Sequence, residues 1–313
     1  MKLRASVDKF VAYKRGLGLK YRTEDLLLHH FCRAMGDIAV PAISSTSVAQ
    51  YLCPNGRQTR ISEIRFYVLG GYFRYAIARG HVGRSPLPSR MKTQPQVLVP
   101  HIYSHGELAS LLRAASGPYS RNAHIAPYMM HAVIVLVYGA GLRISEAMGL
   151  TVEDIDRSKS LLCIRHTKFH KTRLVPLGSA VSTAFDAFLD HRARDYSTAP
   201  TASVFMFKDG RSLTPHAVEA LFRRLCRQIG LGIDASQGSP PRVHDLRHSA
   251  AVHRLIAWYR DGKNVHALLP QLATYLGHKD LSSTQRYLQL TPELLAEVSY
   301  RFERHIREVH SHA

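Results

Sequence analysis

The sequence predicts a mainly α-helical chain with a small β-sheet or hairpin: an N-terminal helical bundle followed by a larger mixed α/β domain. Its 313 residues suffice for about two domains of ~150 residues, each able to bury its own core. Apolar residues recur mostly at helical spacing, with Gly, Pro, Ser and Thr marking the ends of those runs. Between positions 81 and 100 stand four prolines and no helical period, so an interdomain linker over 81–100 separates a bundle at 1–80 from a second domain at 101–313.

In the first domain Ser6–Arg15 reads as a helix closed by Gly16 and Gly18, and Thr23–Met35 as a second with Thr23 as N-cap. A short helix around Thr46–Leu52 and a longer one from Gln58 to Arg79, stopped by Gly80, complete the bundle. In the second domain the apolar run Tyr128–Tyr138 predicts a buried helix, broken by Gly139-Ala140-Gly141 and restarted over Leu142–Leu150. Leu161–Thr167 and Arg173–Leu177 have strand character, and Phe169-His170-Lys171 can turn between them to form a β-hairpin. Helices are expected at Ser179–Arg194 and at Pro215–Gln228, the latter with Thr214 as N-cap, and a third short strand at Ser203–Lys208. Further helices are expected at His244–Tyr259, Leu268–Leu276 closed by Gly277, Ser283–Leu288 and Pro292–Val309.

Composition narrows the function classes. Hydrophobic residues at 45% and charged residues at 21% exclude wholesale disorder. Forty-two Lys and Arg against 23 Asp and Glu leave +19, with an isoelectric point near 10.1, a surplus that favours polyanions and nucleic acid above all. Residues 1–98 hold 16 basic and 5 acidic residues, so more than half of the surplus lies in the first third of the chain. Arg57, Arg60, Arg65, Arg74 and Arg79 are candidates for a phosphate-facing surface there; a solvated basic helix face is the alternative. No apolar run approaches the ~18 residues of a membrane span, and the N-terminus lacks the apolar stretch of a signal peptide. Cys32, Cys53, Cys163 and Cys226 are scattered without a C-x-x-C pair, so neither a disulfide framework nor a cysteine zinc site is expected. A soluble cytoplasmic protein without membrane partners is the expectation.

Four stretches carry chemistry. In Gly139-Ala-Gly-Leu-Arg143-Ile-Ser-Glu146 the glycines put a tight turn before a helix, and Glu146 lies three residues from Arg143, where its carboxylate can orient the guanidinium. A structural ion pair is the alternative; the G-K-[ST] ending of a phosphate-binding P-loop is missing. The segment Ile164-Arg-His-Thr-Lys168-Phe-His-Lys171-Thr-Arg173 is a basic hairpin that can set Lys168, Lys171 and Arg173 against a nucleic-acid backbone, unless it is only a solvated turn. His166 and His170 need not converge on a hairpin and have no carboxylate beside them, so no metal is expected. In Pro241-Arg-Val-His244-Asp-Leu-Arg247 the histidine and arginine share a helix face and can grip one phosphate, although His244 could equally serve a backbone carbonyl. In Leu276-Gly-His278-Lys-Asp-Leu-Ser-Ser-Thr-Gln-Arg-Tyr287 a polar connection leads to a tyrosine that, taken alone, reads as core or interface.

Together these residues are the kit for metal-free phosphoryl transfer. Fixed guanidiniums neutralise the non-bridging oxygens of a pentacovalent transition state. A tyrosine hydroxyl, with an ordinary pKa near ~10, attacks only with cations and a proton acceptor beside it. A lysine or histidine can protonate the departing 5′-oxygen.

In order and spacing the four stretches resemble the phage-integrase, or tyrosine recombinase, family. Arg143 matches the first arginine of its G-L-R-x-S-E stretch, His244 and Arg247 its H-x-x-R, His278 the third position of its L-G-H, and Tyr287, nine residues on, its nucleophile. The hairpin aligns with the family's G-K-G-x-K-x-R-x-V-P-L without a gap, which assigns the catalytic lysine to Lys168 rather than Lys171; Thr167 and Phe169 stand where glycines are common. The resemblance covers about 101–300, and residues 1–98 resemble the family's core-binding domain only in kind. It implies two domains clamping double-stranded DNA and a site-specific recombinase or integrase, of a mobile element, that works through a 3′-phosphotyrosyl link. It further implies no metal, cofactor or ATP, a homotetramer on paired sites with Pro292–Val309 docking on a neighbour, and room for accessory recombination proteins. A type IB topoisomerase-like enzyme and an inactive DNA-binding regulator are the alternatives.

Overall fold

A computed structural model describes residues 1–91, 100–117, 123–165, 172–232 and 240–278, with positions 280 and 285. His166, Lys168, His170, Lys171 and Tyr287, the expected hairpin turn, the expected helix Ser283–Leu288 apart from Gln285, and the expected helix Pro292–Val309 lie outside the described residues. The chain is mainly helical with one small antiparallel sheet, and it forms two compact units, Met1–Val97 and Leu98–Ala313.

In the first unit four helices, α1 (Leu3–Gly16), α2 (Arg22–Met35), α3 (Ser45–Leu52) and α4 (Arg60–Ala78), enclose a core that includes Leu3, Val7, Phe10, Leu28, Phe31, Leu69, Tyr72 and Phe73. Leu3, Val7, Phe10 and Val11 on α1 follow the i, i+4, i+7, i+8 spacing that gives a helix one apolar stripe. Ser44 and Thr59 cap α3 and α4, their hydroxyls accepting the Ser47 and Ser62 amides. For α4 this puts the start at Arg60 rather than at the expected Gln58. Thr23 is not the cap of α2: Tyr21 turns left-handed at φ 44°, and the helix has begun by Arg22. Beyond α4 the chain stays packed on this unit, with Val82 and Leu87 against its core and Met91 inside it.

The second unit begins with α5 (His105–Ser116) and α6 (Pro127–Ile134). The single helix expected over Tyr128–Tyr138 instead continues from α6 as a π-helical turn, Val135–Gly139, a widening that often accompanies functional sites. The restarted helix is also shorter than Leu142–Leu150: Arg143 is still extended at φ −72°, ψ 145°, and α7 covers only Ile144–Met148. Strands β1 (Ile155–Asp156), β2 (Leu161–Ile164) and β3 (Arg173–Pro176) pair antiparallel in that order, with Leu162 opposite both Ile155 and Val175, and Ile164 opposite Arg173. Leu162, Ile164 and Val175 point one way into the core, the period-2 pattern of a half-covered sheet. The helices α8 (Ser179–Asp195), α9 (Pro215–Gln228), α10 (Val243–Arg260) and α11 (Val265–Leu276) complete the unit. No helix among the described residues is long and apolar enough to cross a membrane.

The strand expected at Ser203–Lys208 does not form; only isolated bridges, Thr151 to Ser203 and Met206 to Ser212, occur there. The reason is Arg192 of α8, only 2% exposed, whose guanidinium takes the carbonyls of Val204 at 2.9 Å and Ser203 at 2.6 Å, acceptors a strand would have used, together with that of Ser197 at 2.9 Å. Arg192→Ala leaves these carbonyls without that donor, and we expect it to cost about 3 kcal/mol or more. Urea unfolding followed through Trp258, the single tryptophan of the chain, measures the loss; a change below about 1 kcal/mol would refute the clamp.

Candidate active site

Within the second unit, the start of α7, the first turn of α10 and the end of α11 meet. Helix α11 stops at Gly277, which takes a left-handed φ of 68°. The last carbonyls of a helix lack intrahelical partners and carry partial negative charge. Here three consecutive ones are taken by three arginines from distant parts of the chain. Tyr275 O accepts Arg173 Nε at 3.2 Å, Leu276 O accepts Arg247 Nη2 at 2.6 Å, and Gly277 O accepts Arg143 Nη2 at 2.8 Å. The approach is close enough to require glycine, since a Cβ at Gly277 would lie 2.8 Å from Arg173 Nη1. Gly141 is constrained in the same way: at φ 61° it offers its carbonyl to Arg247 Nη1 at 2.5 Å, and a Cβ there would lie 2.7 Å from Leu276 Cδ2.

Glu146 is the shared counter-charge. Its Oε1 accepts Arg143 Nη1 at 2.7 Å and Arg173 Nη1 at 2.9 Å. Its Oε2 accepts Arg173 Nη2 at 2.9 Å and the Arg143 amide at 2.9 Å, with Arg247 Nη1 3.9 Å away. Burial by itself would raise this carboxyl; the hydrogen bonds from Arg173 and Arg143 overcome that and hold it at about 2. The Arg143–Glu146 pair expected on one helix face therefore forms, but from the residue before α7 to its first turn.

The first turn of α10 is tied down from behind. Asp245, buried, accepts the Arg242 amide at 3.0 Å and Arg242 Nη2 at 2.6 Å. Ser249 Oγ donates to Asp245 O at 2.8 Å and accepts the Tyr103 amide at 2.9 Å, while the Tyr103 hydroxyl donates to Arg242 O at 3.2 Å. From this turn come Arg247, 1% exposed, and His244. Burial, then the Arg247 cation, push His244 down to about 4. His278, just past Gly277, is pushed to about 4 by burial and by Arg247 and Arg143. His248, edge-to-face with His244 at 4.6 Å between ring centres, is lowered to about 3 by burial first and then by His244. At neutral pH these imidazoles are uncharged, so the positive charge of the site comes from the guanidiniums. Three guanidiniums against one carboxylate leave a cationic cluster suited to a phosphodiester anion.

Of the residues expected to form the site, Arg143, Glu146, His244, Arg247 and His278 come together here. Arg173, expected against DNA, is instead 14% exposed and engaged with Glu146, because β3 directs its side chain into the cluster. In the first unit Arg57 and Arg74 are exposed, and Arg60 is exposed but paired with Glu63 at 2.6 Å. Arg65 is a correction: it is half-buried, donates to Tyr51 O at 2.9 Å and stacks over the Tyr51 ring at 4.7 Å, so it ties α4 to α3. Asp245, Ser249 and Tyr103 were missed. Only Asp245 had a local signal, an acid three residues after Arg242 at a helix start.

A depressed carboxyl binds fewer protons folded than unfolded, so its stabilisation is complete above its ordinary value and disappears as pH falls through the folded one. Glu146→Gln should therefore cost about 3 kcal/mol at pH 7, and the gap to wild type should narrow as pH drops from about 4.5 towards about 2. Denaturant titrations across that range test this; a gap independent of pH would show that the carboxylate charge contributes nothing.

Residues 104–293 match the phage integrase family. The chain is 32% identical over 312 residues to y4rB, an inferred integrase/recombinase of Sinorhizobium fredii, covering 96% of this chain and 97% of that one. Two solved structures share the fold: a lambda integrase dimer bound to a COC′ core site (TM-score 0.66, 18% identity, 92% of this chain and 95% of that one) and the Tn1549 transposon integrase in complex with a circular intermediate DNA (TM-score 0.67, 17% identity, 96% and 99%). With that match and a relative aligned along nearly its whole length, the chain belongs to the phage integrase family, the tyrosine recombinases.

Proposed function

We propose that the protein is a site-specific recombinase of a mobile element, breaking and rejoining duplex DNA through a 3′-phosphotyrosyl intermediate. The observation that carries this reading is the gathering of Arg143 and Arg247, anchored on backbone carbonyls beside Glu146, with the uncharged His244 and His278 next to them. Arg143 and Arg247 hold the non-bridging oxygens of the scissile phosphate, and their prior anchoring means little reorganisation as charge develops in the transition state. The Tyr287 oxygen attacks phosphorus, the bond to the 5′-oxygen breaks, and Lys168 gives that oxygen its proton. A neutral imidazole, His244 or His278, is a suitable acceptor for the phenolic proton. The 5′-hydroxyl of a partner strand then attacks the phosphotyrosine and releases Tyr287; the covalent link conserves the phosphodiester energy, so no ATP is needed.

The second unit is read as the catalytic domain and the basic first unit, with Arg57 and Arg74 exposed, as a DNA-binding module. Strand exchange between two duplexes calls for several copies, and the lambda integrase neighbour is a dimer on its core site; a tetramer on paired sites is the assembly proposed here. Accessory recombination proteins would join that assembly at some sites. The protein would act where the DNA is, in the cytoplasm.

On a nicked duplex carrying the native site, Tyr287→Phe should yield no covalent adduct while DNA binding stays nearly unchanged; an adduct that survives would put the nucleophile elsewhere. Lys168→Ala should slow cleavage of an ordinary 5′-oxygen by about 100-fold or more and that of a 5′-thiol leaving group far less. Equal losses on both substrates would remove Lys168 from the general-acid role. Recombinant product from two cognate sites, rather than relaxation alone, separates exchange from topoisomerase action.

A further inference from the structure

We propose that Arg173 is a positioning residue of the cleavage site, locking the Glu146 carboxylate to the C-terminal turn of α11 and so fixing the direction in which Arg143 presents its guanidinium. The inference rests on the phosphotyrosyl reading above. Arg173 opens β3, where Ile164 of β2 pairs with it. Both of its terminal nitrogens reach Glu146, one to each carboxylate oxygen at 2.9 Å, and its Nε reaches Tyr275 O at 3.2 Å. Three of the five N–H groups of a guanidinium are thus committed inside the protein, on two elements far apart in sequence. Such a fork fixes the plane of the carboxylate as well as neutralising it.

That plane matters because Glu146 also holds Arg143. With Arg173 in place, Glu146 Oε1 is shared between two guanidiniums and Arg143 uses only Nη1 on it, leaving Nη2 for Gly277 O. Without Arg173 the carboxylate keeps only its bonds to the Arg143 amide and Nη1, and can rotate about them to pair with Arg143 through both terminal nitrogens, drawing the guanidinium off Gly277 and away from a phosphate. The 2.8 Å between a Cβ built at Gly277 and Arg173 Nη1 shows how closely the α11 turn is fitted around this side chain. Arg173 stands five positions after Lys168, the proposed general acid, in the sequence.

The test uses the full-length protein with Arg173→Lys, which keeps the charge but cannot fork. Single-turnover adduct formation on the nicked duplex should slow by about 10- to 100-fold, the scale of a misaimed catalytic group, while DNA affinity and its salt dependence stay as in wild type. An unimpaired rate overturns the proposal. So does weaker binding by Arg173→Ala, with a salt slope lower by about one phosphate contact, that Arg173→Lys restores, because that pattern marks a direct DNA contact. As a second measurement, Glu146→Gln should show the same rate loss at unchanged affinity, and Glu146→Gln with Arg173→Lys should be no slower than the slower single variant; losses that multiply overturn the coupling. If the wild-type protein forms no adduct, the phosphotyrosyl reading falls and takes this inference with it, whereas a wild-type adduct with an unimpaired Arg173→Lys overturns the inference alone.

Discussion

A carboxylate surrounded by three guanidiniums is the interaction on which the rest of the second unit depends. Like-charged arginines packed this closely would repel one another strongly in a water-poor setting, and Glu146 is the counter-ion among them. One carboxylate cannot neutralise three cations, so the remaining compensation comes from dipoles: the last carbonyls of α11 and that of Gly141. The outcome is a cluster held together internally yet still cationic towards an incoming anion. A phosphodiester would supply charge the protein leaves out.

Rigidity follows from the same arrangement. Arg247 is buried with backbone carbonyls on two sides, and the turn of α10 that carries it is held by Asp245, Ser249 and Tyr103. Burying polar groups is costly unless each finds a partner, and here the partners belong to α5, α7, α10, α11 and β3 or to the turns beside them. A displacement of any of these elements is thus felt at the guanidiniums. The low proton affinities of His244, His248 and His278 are part of the same balance, since a protonated imidazole would add to a charge already in excess.

Much of this was legible along the chain. Helix boundaries marked by a side-chain cap or a glycine, such as Thr214 before α9 and Gly277 after α11, were read correctly because their causes are local. That Arg143, Glu146, His244, Arg247 and His278 belong to one cluster was legible as well, from the order and spacing of the four stretches together, since each stretch alone had a structural alternative. What failed failed for non-local reasons. The strand at Ser203–Lys208 was lost to Arg192 on another element, and Arg65 and Arg173, read as basic surface, were drawn inward by Tyr51 and Glu146.

By itself, then, the amino-acid order determined the helical character, the basic balance and the resemblance to the family, because periodicity, charge and motif spacing are written along the chain. Tertiary structure alone decided what surrounds each arginine: the Arg143 side chain stays 31% exposed, whereas those of Arg173 and Arg247 are turned inward. That difference depends on burial and on backbone carbonyls presented by remote turns, so identical guanidiniums at Arg143 and Arg173 end in different surroundings.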